Sequence, residues 1–149
     1  MQKPLEGIKV VELGVVLAAP YCGLLLSDLG AEVIKVESPE GDETRRYMPF
    51  VGDTGFSAFT AAINRSKRSI SLDLKNPDAV KAYLKICEDA DVVLENFRPS
   101  VSDRLGVGPE AVKAVNPDVI YCAISGFGHK GPRANEPAMD FFIQAFSGQ

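Results

Sequence analysis

The sequence predicts an α/β protein with a Rossmann-like, doubly wound and mostly parallel sheet, and three observations predict it. Apolar runs rich in β-branched residues recur at Ile8–Leu13, Glu32–Glu37, Asp91–Glu95 and Val119–Ile124. Segments with helical spacing lie between them, and glycine, proline or asparagine stands at the joins. Strands that alternate with helices in this way build a parallel sheet covered by helices. A length of 149 residues suits one domain, 1–149, with an ordinary hydrophobic interior.

Ile8–Leu13 ends at Gly14 and reads as a buried first strand. Pro20 suits the first turn of the next element, because its missing N–H would have no intrahelical partner there. Tyr21–Leu29 is apolar on most faces, which predicts a largely buried helix closed by Gly30 in the left-handed conformation. Glu32–Glu37 returns as a second strand, so the first 37 residues form a βαβ unit with a right-handed crossover. Ser38 to Gly55 has little periodicity and is expected to be an extended surface loop, followed by a short helix over Phe56–Ile63. Ile70, Leu72 and Leu74 alternate with polar residues and predict a further strand. Asn76-Pro77 is a cap and first-turn pair, behind which Val80, Tyr83, Leu84 and Cys87 recur at helical spacing. Ser100–Leu105 and Pro109–Val115 read as short helices between the last two strands. A final helix is expected over Met139–Ser147, and its Phe141, Phe142, Ile143 and Phe146 call for a partner surface.

Composition excludes several partners. The net charge is −4, with 24% charged and 46% apolar residues, which leaves no electrostatic footprint for nucleic acid or for an anionic membrane. No apolar run approaches the length of a bilayer span, and the N-terminus lacks the pattern of a secretory leader. Cys22, Cys87 and Cys122 have no CxxC spacing and fall in apolar segments, which fits small core residues in a reducing cytoplasm. One histidine and three scattered cysteines give no metal site.

An open α/β sheet binds its ligand beyond the carboxyl ends of the strands, where helix N-termini aim N–H groups at phosphate. The turn after the first strand, Gly14–Pro20, has one glycine where a dinucleotide fingerprint needs three, so NAD is disfavoured despite Glu37 at the end of the second strand. Arg45 and Arg46 read as solvated surface charges. Arg98 and Arg104 follow a strand end around Asn96-Phe97, and arginine forks beside an aromatic face suit an adenine nucleotide. Gly126–Pro132 is rich in glycine and predicts a mobile loop; His129 within it is a weak candidate base, because nothing nearby in sequence would orient it.

Seven stretches together carry a resemblance: "PLEGIKVVEL", "LLSDLGAEVIKVESPEGDETR", "NRSKRSISLDLKNP", "DADVVLENFRP", "DRLG", "NPDVIYCAISGFGHKGP" and "MDFFIQAFSG". In this order they resemble the family III CoA-transferases of the formyl-CoA:oxalate and carnitine-CoA type, over essentially the whole chain. The resemblance implies that CoA or acyl-CoA is the substrate. It implies main-chain contacts from Val15, Val16, Leu17 and Ala18, with Leu72 and Lys75 flanking the nucleotide. Asn96, Phe97 and Arg98 would line its crevice, and Arg104 would pair with phosphate. Pro137 to Asp140, with Met139, would approach the thioester. Ser38 departs from members that carry arginine there. In the family an aspartate attacks the thioester and CoA passes to a carboxylic acid. That aspartate is expected beyond Gln149, with Asp140 as a supporting residue or a helix cap. The chain is therefore expected to be the CoA-binding N-terminal portion of a homodimeric or self-associating enzyme, inactive alone. The alternative is a catalytically inactive stand-alone binding or assembly module. A racemase relative is disfavoured, because Met139 stands where that branch has a histidine and cannot take a proton.

Overall fold

The computed structural model describes residues 3–149. Five strands form one all-parallel sheet: β1 (Lys9–Leu13), β2 (Glu32–Glu37), β3 (Arg68–Ser71), β4 (Val92–Glu95) and β5 (Ile120–Ala123), in the spatial order β3-β2-β1-β4-β5. The helices are α1 (Ala18–Asp28), α2 (Ala58–Ile63), α3 (Pro77–Cys87), α4 (Val101–Arg104), α5 (Pro109–Val115) and α6 (Asp140–Ser147). The chain winds outward from β1 to β2 and β3, then crosses back to lay β4 on the other side of β1. This reversal is the topological switch point, and it opens a crevice beyond the ends of β1 and β4.

Alternation along the strands gives each face of the sheet its own core. Val11, Leu13 and Val93 face α3 and α5 and pack with Tyr83, Cys87 and Val112. Val10, Val33 and Leu94 face the other way and pack with Ala19 of α1. The caps follow the sequence: the Asn76 side chain accepts the Asp78 N–H at 2.9 Å ahead of Pro77, and Gly30 closes α1 at φ 109°.

The structure corrects four expectations. α1 is covered on one side only; Ala19, Gly23 and Leu24 are buried, whereas Tyr21, Leu25 and Leu29 are exposed. An apolar sequence did not make an enclosed helix, because the sheet covers a single stripe of it. The segment after β2 is not a plain surface loop, since Asp42 caps a 3-10 turn over Glu43–Arg46 and is buried with Thr44. β3 stops at Ser71 and is exposed along its length as an edge strand; Leu72 and Leu74 pack on the core from the following turn. Met139, not Asp140, is the N-cap of α6, and Asp140 instead accepts a hydrogen bond from Gln144 Nε2 at 2.6 Å. α6 leaves Phe141, Phe142 and Phe146 exposed, with the Arg133 guanidinium 4.3 Å from the Phe146 ring.

Candidate functional site

Side chains from three other segments hold the backbone of the turn after β1. Lys35 Nζ donates to the Gly14 carbonyl. Asn96, just past β4, accepts the Val15 N–H at 2.8 Å and returns a hydrogen bond to the Val15 carbonyl at 2.9 Å. Its amide thus bridges the mouth of the switch point. The Val16 N–H donates to the Asp42 carboxylate at 3.2 Å, with Val16 itself at φ 61°. A β-branched residue at positive φ is a backbone outlier, and such strain persists only where surroundings hold it. The chain then enters α1, whose N-cap Leu17 supplies no side-chain bond. Its first N–H groups therefore remain available beside the crevice.

Beneath the turn lies a buried relay of charge that sequence reasoning missed. Lys67 pairs with Glu12 at 2.8 Å, Glu12 with Lys35 at 3.0 Å, and Lys35 with Asp42 at 3.1 Å, all four side chains at most 2% exposed. Gly23 of α1 passes directly over Glu12, and any Cβ there would collide with the carboxylate. Burial pushes the Asp42 carboxyl up, but the Thr44 N–H, the Lys35 ammonium and the Thr44 hydroxyl outweigh it and hold the group below the usual carboxylate range. Lys67 is driven down by burial, against the attraction of Glu12. The sequence signal for Glu12 and Lys35 was a charge inside an otherwise apolar strand; Asp42, in a segment expected to be a surface loop, and Lys67 carried none.

Two clefts open at the carboxyl ends of the strands. The first, about 210 Å³, runs from β1 to β3 and is lined by Val15, Glu37, Leu72, Lys75, Phe97 and Leu105 among others. The second, about 350 Å³, lies between β4 and β5 and is lined by Ala18, Asn96, Phe97, Arg98, Ser125 and Met139 among others. Phe97 belongs to both and forms their common wall. Ser125 Oγ is buried in the second with no hydrogen-bond partner among the described residues. Glu95 holds the Phe97 N–H at 2.6 Å, and burial raises its carboxyl above the ordinary range despite that bond.

Eight of the twelve candidate residues line a cleft: Val15, Leu72, Lys75 and Phe97 in the first, Ala18, Asn96, Arg98 and Met139 in the second. Val16 and Leu17 lie in the turn between them without lining either. Arg104 is exposed on α4, next to Leu105 of the first cleft. Asp140 is exposed beyond Met139 and faces Gln144. Glu37 is engaged by Arg45 through two hydrogen bonds, at 2.9 and 2.8 Å, so it is not free to receive a ribose, and Arg45 is not a simple solvated charge. His129 is exposed on its loop. Among the described residues no helix is long and apolar enough to cross a membrane.

The sequence profile of CoA-transferase family III matches residues 5–149. A succinate–glutarate CoA-transferase of Agrobacterium fabrum is 45% identical over 97% of this chain and 38% of its own length. An acetyl-CoA:oxalate CoA-transferase of Acetobacter aceti is 46% identical over 97% of this chain and 37% of its own. The crystal structure of a CAIB/BAIF family protein from Brucella suis superposes with a TM-score of 0.94 at 47% identity, covering 99% of this chain and 40% of that one. The chain therefore spans well under half the length of the relatives it matches.

Proposed function

This chain belongs to CoA-transferase family III, and on that premise we propose that its two clefts are the two halves of a coenzyme A site. The observation that carries this reading is the pair of clefts on either side of Phe97 at the β1/β4 switch point. The first is walled by Leu72 and Phe97, which suit an adenine ring, and by Lys75, which suits a phosphate. The N–H groups of Leu17 and Ala18 at the head of α1 would meet the pyrophosphate, with Val15 and Val16 shaping the turn. Arg104 would reach a phosphate from the rim. In the second cleft Asn96, Arg98 and Met139 would border the pantetheine arm, and the thioester would lie toward Ser125 and Asp140.

In the intact protein CoA passes from an acyl-CoA thioester to a carboxylic acid. An aspartate oxygen attacks the thioester carbon and CoA leaves as the thiolate. The thiolate then attacks the aspartyl carbonyl, releasing the first acid and leaving an aspartyl-CoA thioester. A second acid's carboxylate would then attack the aspartyl thioester carbonyl and expel the CoA thiolate, giving a second mixed anhydride; the thiolate would attack that acid's carbonyl, forming the new acyl-CoA and freeing the aspartate. By the pattern of the family the aspartate falls outside these 149 residues, so the contribution of this chain is binding and Asp140 is a supporting residue. The acceptor stays at the level of carboxylic acids, because the acids in the relatives' names differ. Self-association through the exposed phenylalanines of α6 belongs to the same reading, and sedimentation showing only monomer at high concentration would count against it.

Calorimetric titration of the 149-residue protein with CoA, with NAD as control, tests the site. Micromolar binding of CoA alone is the expected result. Absence of binding by protein that circular dichroism shows to be folded would reject it. Turnover by the pure chain in a CoA-transfer assay would reject the assignment of Asp140 to a supporting role.

A further inference from the structure

We propose that Asp42, backed by Lys35, is a positioning residue that holds the Val15–Val16 turn in its strained shape and so shapes the floor of the nucleotide crevice. Asp42 borders the first cleft but is buried, its carboxylate engaged by the turn, by Thr44 and by Lys35; the inference rests on the reading above only for its functional consequence.

The geometry supports the role from both ends. Val16 sits at φ 61°, where its branched Cβ is disfavoured, and its N–H has the Asp42 carboxylate as acceptor at 3.2 and 3.4 Å. Asp42 is itself immobilised. One oxygen takes the Thr44 N–H at 3.0 Å and the Thr44 hydroxyl at 2.9 Å, while the other lies 3.1 Å from Lys35 Nζ. The same ammonium donates to the Gly14 carbonyl, so one buried ion pair grips both sides of the turn. Asp42 comes from the segment after β2, and the turn follows β1; among the described residues the Val16–Asp42 hydrogen bonds are the direct ones between the two, with Lys35 as the indirect link. Released, Val16 would fall back toward negative φ, rotating the adjoining peptide groups at the head of α1 away from the crevice.

The test is a double-mutant cycle between Asp42→Asn and Val16→Gly. Glycine adopts positive φ without penalty, so a residue that acts by holding Val16 there matters less once the resistance is gone. Asp42→Asn is expected to weaken CoA binding about tenfold when residue 16 is valine, the scale of one such backbone strain, and less than about twofold when it is glycine. Equal losses in both backgrounds, or no loss in either, overturn the proposal. Amide exchange at residue 16 gives the same cycle without ligand: Asp42→Asn should accelerate exchange strongly beside valine and weakly beside glycine. If that cycle holds while CoA gives no heat with the parent protein, the positioning role stands and the nucleotide reading fails. Asp42→Glu keeps the charge against Lys35 but carries the carboxylate one methylene past the amide. It is expected to show the same selective loss, and provides the measurement should Asp42→Asn not fold.

Discussion

Removing the Asn96 side chain separates the two halves of the crevice, and the cost can be worked from two hydrogen bonds. Asn96 meets Val15 at 2.8 and 2.9 Å, one bond in each direction. Both Val15 groups lie at an exposed turn and find water when released, so the loss is that of two net hydrogen bonds and not of two orphaned groups. At about 1 kcal/mol each, Asn96→Ala should cost about 2 kcal/mol, or a fall in Tm of about 4–8 °C for a domain near this size. Asn96→Asp sharpens the expectation. Its carboxylate still accepts the Val15 N–H but sets a second oxygen against the Val15 carbonyl, whereas the protonated acid restores both bonds. The introduced carboxyl therefore has a raised folded-state pKa. Its stabilisation is complete below the unfolded value of about 3.9 and is lost as pH rises through the folded one. Urea unfolding of parent and both variants, followed by circular dichroism across that interval, measures this. An alanine variant within about 0.5 kcal/mol of the parent, or an aspartate variant with the parent's pH profile, would refute the bridge.

Gly23→Ala should destabilise by about 2 kcal/mol or more even though alanine is the better helix former, because the new methyl collides with a Glu12 carboxylate that two lysines hold in place; thermal melting decides, and a rise in Tm would contradict it. Burial raises the Glu95 carboxyl, partly offset by the Phe97 N–H. Its stabilisation is thus present below the unfolded value of about 4.3 and lost as pH rises through the folded one; Glu95→Gln keeps the acceptor for Phe97 and should gain on the parent as pH rises, with parallel denaturation midpoints as the contrary result. Arg104→Ala should weaken CoA binding about fivefold, with a shallower salt dependence, since one exposed charge-assisted contact is removed; an unchanged titration would take Arg104 out of the site.

The strands and caps were legible because their signals are local. β-branched runs, the Asn76-Pro77 pair and Gly30 each depend on a few adjacent residues, and the parallel order followed from their alternation with helices. Leu72 and Lys75 were marked through the resemblance alone, whereas Asn96, Phe97 and Arg98 also stood out as an aromatic and an arginine just past a strand end; all five line a cleft. What escaped was held by distant partners. Nothing local marked Lys67 as the buried partner of Glu12, and Asp42 read as a loop residue until Val16 and Lys35 met it. Ser125, buried in the second cleft without a partner, carried no signal in a chain with many serines. α1 misled for the opposite reason, since its hydrophobicity is nearly uniform around the axis while the sheet covers one stripe.

The Asn96 bridge also sets a timetable. Its two ends are 81 positions apart, and the strand that brings Asn96 to the turn is the fourth to be synthesised. At about 5–20 residues per second, Val15 leaves the ribosome roughly 4–16 s before Asn96 does. β1, β2 and β3 can pair in that interval, but a sheet of those three has no reversal of strand order, and the first cleft then lacks the wall that Phe97 and Leu105 supply. Any chain arrested or cleaved before β4 lacks the Phe97 wall that the two clefts share.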